Sequence, residues 1–180
     1  MEAPLEPTTS TQHFLNAHLI GKGFQASLPG MVLLQEFQLA TGTVLYRFVQ
    51  VTPGRTAITG ADGPWWLEHG PFITLTHCAM AQGMTLSAAA LLFAATASEW
   101  SEVNGFVRAE VMQPLKCWKG RGKRVERPAK KTRGRVRAAP ISMGQDVYQL
   151  YVPGIGGVSS LFPTVFSFLD FTSIQTAGRP

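Results

Sequence analysis

Residues 43–51 read TVLYRFVQV, and this stretch decides how the rest of the chain is interpreted. Strands favour valine, threonine and aromatic residues, and the run stops at Pro53 and Gly54, which are typical of a turn. The stretch therefore predicts an early β-strand. Arg47 lies in its middle, where a charge is costly unless it faces water, is paired, or meets a ligand anion.

Outward from this strand, two kinds of element are predicted. The sequence NGFVRAEVMQ at 104–113 alternates with period two, which places Phe106, Arg108, Glu110 and Met112 on one face of a strand. The sequence SAAALLFAATASEW at 87–100 contains neither glycine nor proline and follows Thr85, so it predicts a buried helix capped by Thr85 or Ser87. Further strands are predicted at 72–76 and 146–152, and a short helix at 31–39.

These elements predict an α+β fold in a single compact domain over 1–180, with a mixed or antiparallel sheet and one buried helix. At 180 residues the chain is one ordinary domain in length. Residues 1–30 have weak periodicity and are interpreted as a lead-in segment. The apolar sequence SSLFPTVFSFLDF at 159–171 is expected to pack back as a last strand or short helix.

The positive charge of the chain is concentrated in residues 116–137, called the basic segment below. This segment has eleven lysines and arginines and a single acidic residue, whereas the rest of the chain has five basic and ten acidic residues. Glycines and Pro128 interrupt it, so we expect a loop or arm, forming a long hairpin between the strands at 104–113 and 146–152. The candidate anion-binding residues are Lys119, Arg121, Lys123, Arg124, Arg127, Lys130, Lys131, Arg133 and Arg135.

Three interpretations of the basic segment remain open from the residues alone. It is a solvated loop without a specific partner, a phosphate-binding element for RNA or DNA, or a contact for another anionic partner such as a membrane surface. Only Trp118 within it could stack on a base.

Several classes of protein are excluded by inspection. The sequence lacks GxxxxGK[ST], HExxH and GxSxG, and no GxGxxG follows a strand, so nucleotide-hydrolysing, zincin and Rossmann-type readings are rejected. Cys78 and Cys117 form no metal-binding spacing with the histidines, so we expect reduced thiols and no metal. No apolar run is long enough for a transmembrane segment, and the N-terminus lacks the features of a Sec-type signal peptide.

The residues LYR at 45–47, followed by GPWWLEHGPFITLTHCA at 63–79, resemble the opening of the ADP-ribosyltransferase fold, nearest to RES-type and related bacterial toxin domains. The overlap covers about 35 residues. The resemblance implies NAD as cofactor, with Arg47 on a phosphate, Thr74 and Thr76 orienting the ribose or nicotinamide amide, and Trp65 as a wall of the pocket. It leaves Glu110 as the candidate catalytic carboxylate. Adjacent tryptophans are also typical of a core plug or lid.

The first hypothesis is therefore a toxin or effector domain that cleaves NAD and transfers ADP-ribose to a macromolecular target, or to water as an NAD glycohydrolase does. The alternative is a non-enzymatic protein that binds nucleic acid or another anionic partner through the basic segment. A third possibility is an assembly subunit whose aromatic tail forms an interface. We expect a cytoplasmic location, or delivery by a dedicated secretion system.

Overall fold

The computed structural model describes residues 13–21, 31–93, 103–122 and 147–176. Within these ranges the chain forms two antiparallel sheets and four α-helices, so the predicted α+β class is confirmed. The strands are β1 (Met31–Leu39), β2 (Val44–Val49), β3 (Trp65–Trp66), β4 (Gly105–Val111), β5 (Leu115–Gly122), β6 (Tyr148–Tyr151) and β7 (Phe166–Ser173). The helices are α1 (Ala57–Ala61), α2 (His69–Ala81), α3 (Leu86–Phe93) and α4 (Phe162–Val165), preceded by a 3₁₀ turn at Ala17–Leu19.

Three of the predicted strands and the first half of the predicted helix at 87–100 are confirmed, while residues 94–100 lie outside the described ranges. The strands at 43–51, 104–113 and 146–152 are β2, β4 and β6, and β4 buries Val107, Ala109 and Val111 on one face as its alternation predicts. The Thr85 hydroxyl caps α3 by accepting a hydrogen bond from the Ala88 amide at 3.1 Å. The apolar sequence at 159–171 is expected to form a last strand or a short helix, and it forms parts of both. The short helix α4 leads directly into strand β7.

The two sheets have four and three strands. The strand order is β1-β5-β6-β3 in the larger sheet and β2-β4-β7 in the smaller, and every neighbouring pair is antiparallel. The chain connects them just after β3, because Tyr46 of β2 exchanges both backbone hydrogen bonds with Leu67, at 2.9 and 2.8 Å. Residues 65–67 therefore pair with one sheet and then with the other.

Two clusters of buried apolar side chains lie between the layers of the fold. The larger one joins inner-face residues of both sheets, and the smaller one lies between the three-stranded sheet and helices α2 and α3. The larger cluster includes Leu39, Leu45, Val49, Trp66, Val107, Val111, Leu115, Cys117, Leu150, Val152 and Phe166. The smaller cluster includes Tyr46, Leu67, Phe72, Leu75, Cys78, Ala79 and Ala89.

The N-terminal part of the described chain is fixed by one buried amide. Asn16 is fully buried, and its side chain donates to the carbonyls of Lys116 at 2.7 Å and Pro153 at 3.0 Å. Its oxygen accepts the Lys116 amide at 2.9 Å, so all of these hydrogen bonds join it to backbone groups of the larger sheet region. This part of the predicted lead-in segment is thus anchored by hydrogen bonds rather than by apolar periodicity.

The predicted helix at 31–39 is wrong, because these residues form strand β1. Phe37 and Leu39 of β1 pack on the larger cluster, while Glu36 and Gln38 beside them are exposed. This is the period-two arrangement of a strand with one buried face. β1 pairs with β5 along one of its edges, and these backbone hydrogen bonds to a distant segment decide the outcome.

The predicted strand at 72–76 is also wrong, because the segment belongs to helix α2. Pro71 falls in the first turn of this helix, where its missing amide hydrogen costs nothing. The buried residues Phe72, Leu75 and Ala79 recur at helical spacing and face the three-stranded sheet.

The expected hairpin is corrected as well. The strands at 104–113 and 146–152 lie in different sheets. Residues 116–122, expected to begin the loop at 116–137, belong to β5, one of the two central strands of the larger sheet. β5 pairs antiparallel with β6, and Arg121 is the register partner of Tyr148. The basic segment from residue 123 onward lies outside the described residues.

Candidate functional site

Arg47 projects from β2 onto the inner face that it shares with Leu45 and Val49, so it does not occupy a water-facing position on the strand. Its guanidinium donates from Nε to the Gly60 carbonyl at 3.1 Å and from Nη1 to the Trp65 carbonyl at 2.9 Å. Gly60 lies in the last turn of α1, where a carbonyl has no partner within the helix. Arg47 therefore holds α1 and β3 against β2.

The remaining nitrogen of this guanidinium is enclosed by backbone. A Cβ atom placed on Gly63 would lie 2.1 Å from Nη2 of Arg47, so any larger residue there would displace the guanidinium from its present position. Burial lowers the pKa of Arg47 to about 10, with Arg55 lowering it further and Asp62 opposing the shift. The side chain stays charged at neutral pH, and its hydrogen bonds go to the protein's own backbone.

The two tryptophans of β3 have different environments. Trp66 is 1% exposed, donates from its indole nitrogen to the Gly63 carbonyl at 2.8 Å and stacks on Phe166, which makes it a core residue. Trp65 is half-buried on the opposite face, and its ring meets Tyr151 edge-on with centroids 5.0 Å apart. Of the two, Trp65 is the one that presents aromatic surface to solvent.

Thr74 and Thr76 lie on α2, away from Arg47. Thr74 is exposed, and the Thr76 hydroxyl donates to the Phe72 carbonyl one turn earlier at 3.0 Å. Helix α2 packs on the face of the three-stranded sheet opposite to Arg47. The structure therefore does not bring these threonines to the guanidinium.

Glu110 lies on β4 as the register partner of Val44, on the same face as Arg108 and Tyr46. Arg47 is the register partner of Val107, whose side chain enters the inner cluster. The candidate carboxylate and the candidate phosphate ligand thus project from opposite faces of one sheet.

Four polar side chains on the Glu110 face of the sheet form contacts that local sequence patterns do not indicate. Arg108 pairs with Asp170 of β7, with Nε at 2.9 Å from one carboxylate oxygen and 3.1 Å from the other. The Tyr46 hydroxyl lies 2.9 Å from Nδ1 of His69, the first residue of α2. Period-two alternation suggests Glu110 as the partner of Arg108, and only the β4–β7 register identifies Asp170.

The electrostatics of this cluster follow from the ion pair. Hydrogen bonds to Asp170 and its negative charge raise the pKa of Arg108, with a smaller contribution from Tyr46. The hydrogen bond from Arg108 lowers the pKa of Asp170 below its ordinary value. Both side chains are 41% exposed, so water screens the pair.

Two basic residues of β5 already have acidic partners. Lys116 pairs with Glu36 at 2.6 Å, and Lys119 pairs with Glu68 at 2.5 Å while its ammonium lies 4.5 Å from the centre of the Phe37 ring. Arg121 follows at the end of the strand. The other candidate residues lie outside the described ranges, and these are Lys123, Arg124, Arg127, Lys130, Lys131, Arg133 and Arg135.

The later part of the basic segment has a large excess of positive charge in its sequence. Residues 123–137 have eight basic residues and one acidic residue. Of the carboxylates in the described ranges, Glu36, Glu68 and Asp170 are in ion pairs, and Asp62 accepts from Ser160 at 2.6 Å and from the Gly156 amide at 3.0 Å. These groups are engaged elsewhere in the fold.

Both cysteines are buried, and neither forms a disulfide. Desolvation raises the pKa of Cys117 to about 12, with Glu68 adding to the shift. Within the described ranges, no group of histidine, cysteine, aspartate and glutamate side chains could hold a metal ion. None of the helices in this part of the chain is long and apolar enough to span a membrane.

No protein-family model matches this chain, and comparison with curated proteins and with solved structures finds no significant similarity to either.

Proposed function

We propose that this protein binds nucleic acid through the basic segment, residues 116–137. The observation that carries the proposal is the density of positive charge at 123–137, beyond the β5 lysines whose charges are already paired. Lysines and arginines at this density bind phosphates and release condensed counterions, which gives strong and salt-dependent affinity without sequence readout.

The sheet supports this proposal through the first part of the segment. Residues 116–122 belong to β5, which is hydrogen-bonded to β1 on one side and to β6 on the other. The fold thus gives the beginning of the segment a fixed position.

An NAD-cleaving transferase remains an untested prediction, and the geometry favours it less. Arg47 donates to Gly60 and Trp65, and Glu110 projects from the other face of the sheet. The residues assigned to the cofactor are therefore not gathered around one cavity.

The proposal is tested by fluorescence anisotropy with labelled single-stranded RNA and duplex DNA over a series of salt concentrations. We compare the full chain with the triple variant Lys130→Gln, Arg133→Gln, Arg135→Gln. A matched control, Lys22→Gln, Arg55→Gln, Arg179→Gln, removes three positive charges outside the segment.

We expect the segment variant to weaken binding to both nucleic acids. For each phosphate that the variant no longer binds, the slope of log K against log salt should fall by about 0.9 with the duplex and by about 0.7 with the single strand. The control should bind as the unmodified chain does. Equal losses of affinity in both variants would mean that net charge alone governs binding, and an unmodified chain that binds neither probe would overturn the proposal.

A further inference from the structure

Strand β7 lies at an edge of the three-stranded sheet. The strand order is β2-β4-β7, and within the described ranges no strand pairs with the outer edge of β7. Its sequence, FSFLDFTS from Phe166 to Ser173, contains neither lysine nor proline, which commonly protect an exposed edge from a further strand. The backbone groups along this edge are therefore suited to pairing with another strand.

Hydrogen bonds to β4 determine which backbone groups of β7 point to the outer edge. At the start of the strand, the Met112 amide donates to the Val165 carbonyl at 2.8 Å, next to the register pair of Val111 and Phe166. A bond at this place flanks the pair, as it does for the non-hydrogen-bonded pairs of an antiparallel ladder. The amide and carbonyl of Phe166 therefore point away from β4.

The other end of β7 has the same arrangement. The Ile174 amide donates to the Asn104 carbonyl at 2.9 Å, on the flank of the register pair of Gly105 and Ser173. The amide and carbonyl of Ser173 therefore also point outward. Between the two ends, inward and outward residues alternate along the strand except at one irregularity.

This irregularity is a bulge in the middle of β7. Phe168 is the partner of Ala109 and Asp170 is the partner of Arg108, so Leu169 is an extra residue on β7. The residues whose backbone groups point outward are then Phe166, Phe168, Phe171 and Ser173. The steps between them are two, three and two residues long, and this spacing reads the same in both directions.

The palindromic spacing decides which partner strand fits the edge. A regular strand offers its hydrogen-bonding groups at every second residue, so it loses register at the bulge. A second copy of β7 that runs antiparallel, related by a two-fold axis, has its own bulge opposite the first. Phe166 then pairs with Ser173 of the second copy, and Phe168 pairs with Phe171 of the second copy.

The side chains of β7 also suit a second copy. Phe168 and Phe171 are half-buried against the core between the sheets, and residues paired across strands share a face, so each ring would cover part of the other. Asp170 is the only charged residue of β7 and is paired with Arg108. The two-fold axis therefore brings two ion pairs together, not two isolated carboxylates.

We propose that β7 is a self-association edge, at which two copies of this chain pair antiparallel and join their three-stranded sheets into one sheet of six strands. The inference concerns assembly and does not rest on the proposed function. Two single strand edges form a narrow interface, so the dimer is weak and its fraction rises with protein concentration.

The test measures the monomer–dimer equilibrium by sedimentation velocity over a series of protein concentrations. Ser173→Pro removes an outward amide and no hydrogen bond to β4, and Ser173→Ala is the matched control that keeps the amide. Leu169→Lys places one positive charge from each copy beside the two-fold axis, at a position that is 41% exposed. Its control is Met80→Lys, which adds the same charge at an exposed position on α2. Thermal melting checks that each variant is folded.

We expect the unmodified chain to dimerise and Ser173→Pro to raise the dissociation constant about 30-fold. By symmetry the proline removes two hydrogen bonds, and each contributes about a factor of five. Leu169→Lys should also weaken the dimer, because it opposes like charges across the axis. Ser173→Ala and Met80→Lys should dimerise as the unmodified chain does.

Two results would overturn the inference and leave nucleic-acid binding unaffected. One is an unmodified chain that stays monomeric at every concentration up to the limit of its solubility. The other is a dimer whose dissociation constant is the same in folded Ser173→Pro as in Ser173→Ala.

Discussion

Arg47 and Glu110 lie on adjacent, hydrogen-bonded strands and project from opposite faces of the sheet that they share. Arg47 is partnered with Val107 and enters the layer between the sheets, whereas Glu110 is partnered with Val44 and faces the side of α2 and α3. A carboxylate that stabilises a ribosyl cation must reach the same cavity as the group that holds the phosphates. These two side chains are separated by the sheet itself.

This separation predicts that Glu110 takes no part in any NAD chemistry of the chain. We expect Glu110→Gln to leave the rate of nicotinamide release from NAD equal to that of the unmodified protein, whatever that rate is. The measurement is nicotinamide release followed by chromatography. A fall of about tenfold or more in a folded Glu110→Gln variant, approaching the usual size of an acid–base contribution, would contradict this and favour the transferase.

The absence of a side chain at Gly63 is predicted to stabilise the packing of Arg47. In Gly63→Ala the new methyl group would lie within 2.1 Å of Nη2, so the guanidinium must move away from the Gly60 and Trp65 carbonyls. We expect the free energy of unfolding in urea to fall by about 1–3 kcal/mol, as is usual when a packed interior is overfilled.

Gly70 provides the control for that substitution. It lies in the first turn of α2, where a Cβ atom would have no other atom within 4 Å, and its φ is not positive. Gly70→Ala should leave stability unchanged or raise it by about 0.5–1 kcal/mol, because alanine favours the helix. Equal effects of the two alanines would show that Arg47 is not confined as described.

The ion pair of Arg108 and Asp170 predicts a shift that can be measured directly. Because Arg108 lowers the pKa of Asp170, the folded state favours the carboxylate, and this stabilisation is present above the unfolded pKa and lost as pH falls through the folded one. In Arg108→Gln we expect the pKa of Asp170 to rise toward its ordinary value, measured by NMR titration of the carboxyl carbon. Glu110→Gln should leave it unchanged, and an unaltered Asp170 in Arg108→Gln would argue that the pair is absent in solution.

Both thiols are predicted to be unreactive in the folded protein. Cys78 and Cys117 are buried, and burial raises the pKa of Cys117 to about 12, so little Cys117 thiolate forms near neutral pH. A thiol reagent should label neither residue on mixing under native conditions and both in urea. Rapid labelling of Cys117 in the native protein would contradict its position in the core.

The sequence predicts strands correctly where one segment contains a complete local pattern. β2 and β4 have strand-forming residues, clear alternation or both, and each lies where it is expected. Residues 72–76 are misassigned because the β-branched residues in FITLT dominate a short window. The helical recurrence of Phe72, Leu75 and Ala79 emerges only over the longer segment, and it decides the structure.

The remaining misassignments depend on distant partners. In β1, alternation is limited to Phe37 and Leu39, and pairing with β5, far along the chain, supplies the backbone hydrogen bonds. In β5, lysines and glycines suggest a loop, although Leu115 and Cys117 alternate into the core. Likewise, the pairing of Arg108 with Asp170 follows from a strand register that local sequence does not contain.

The meeting of Arg121 and Tyr148 across β5 and β6 has a consequence for how this domain can change over time. Two antiparallel strands paired at that point could equally be joined by a tight turn. Lengthening the connection between them costs little, because each doubling of loop length adds only about 0.6 kcal/mol of closure free energy. The number of residues between Gly122 and Tyr148 can therefore change with little penalty to the sheet. Selection can alter this connection while the pairing of β5 and β6 stays the same.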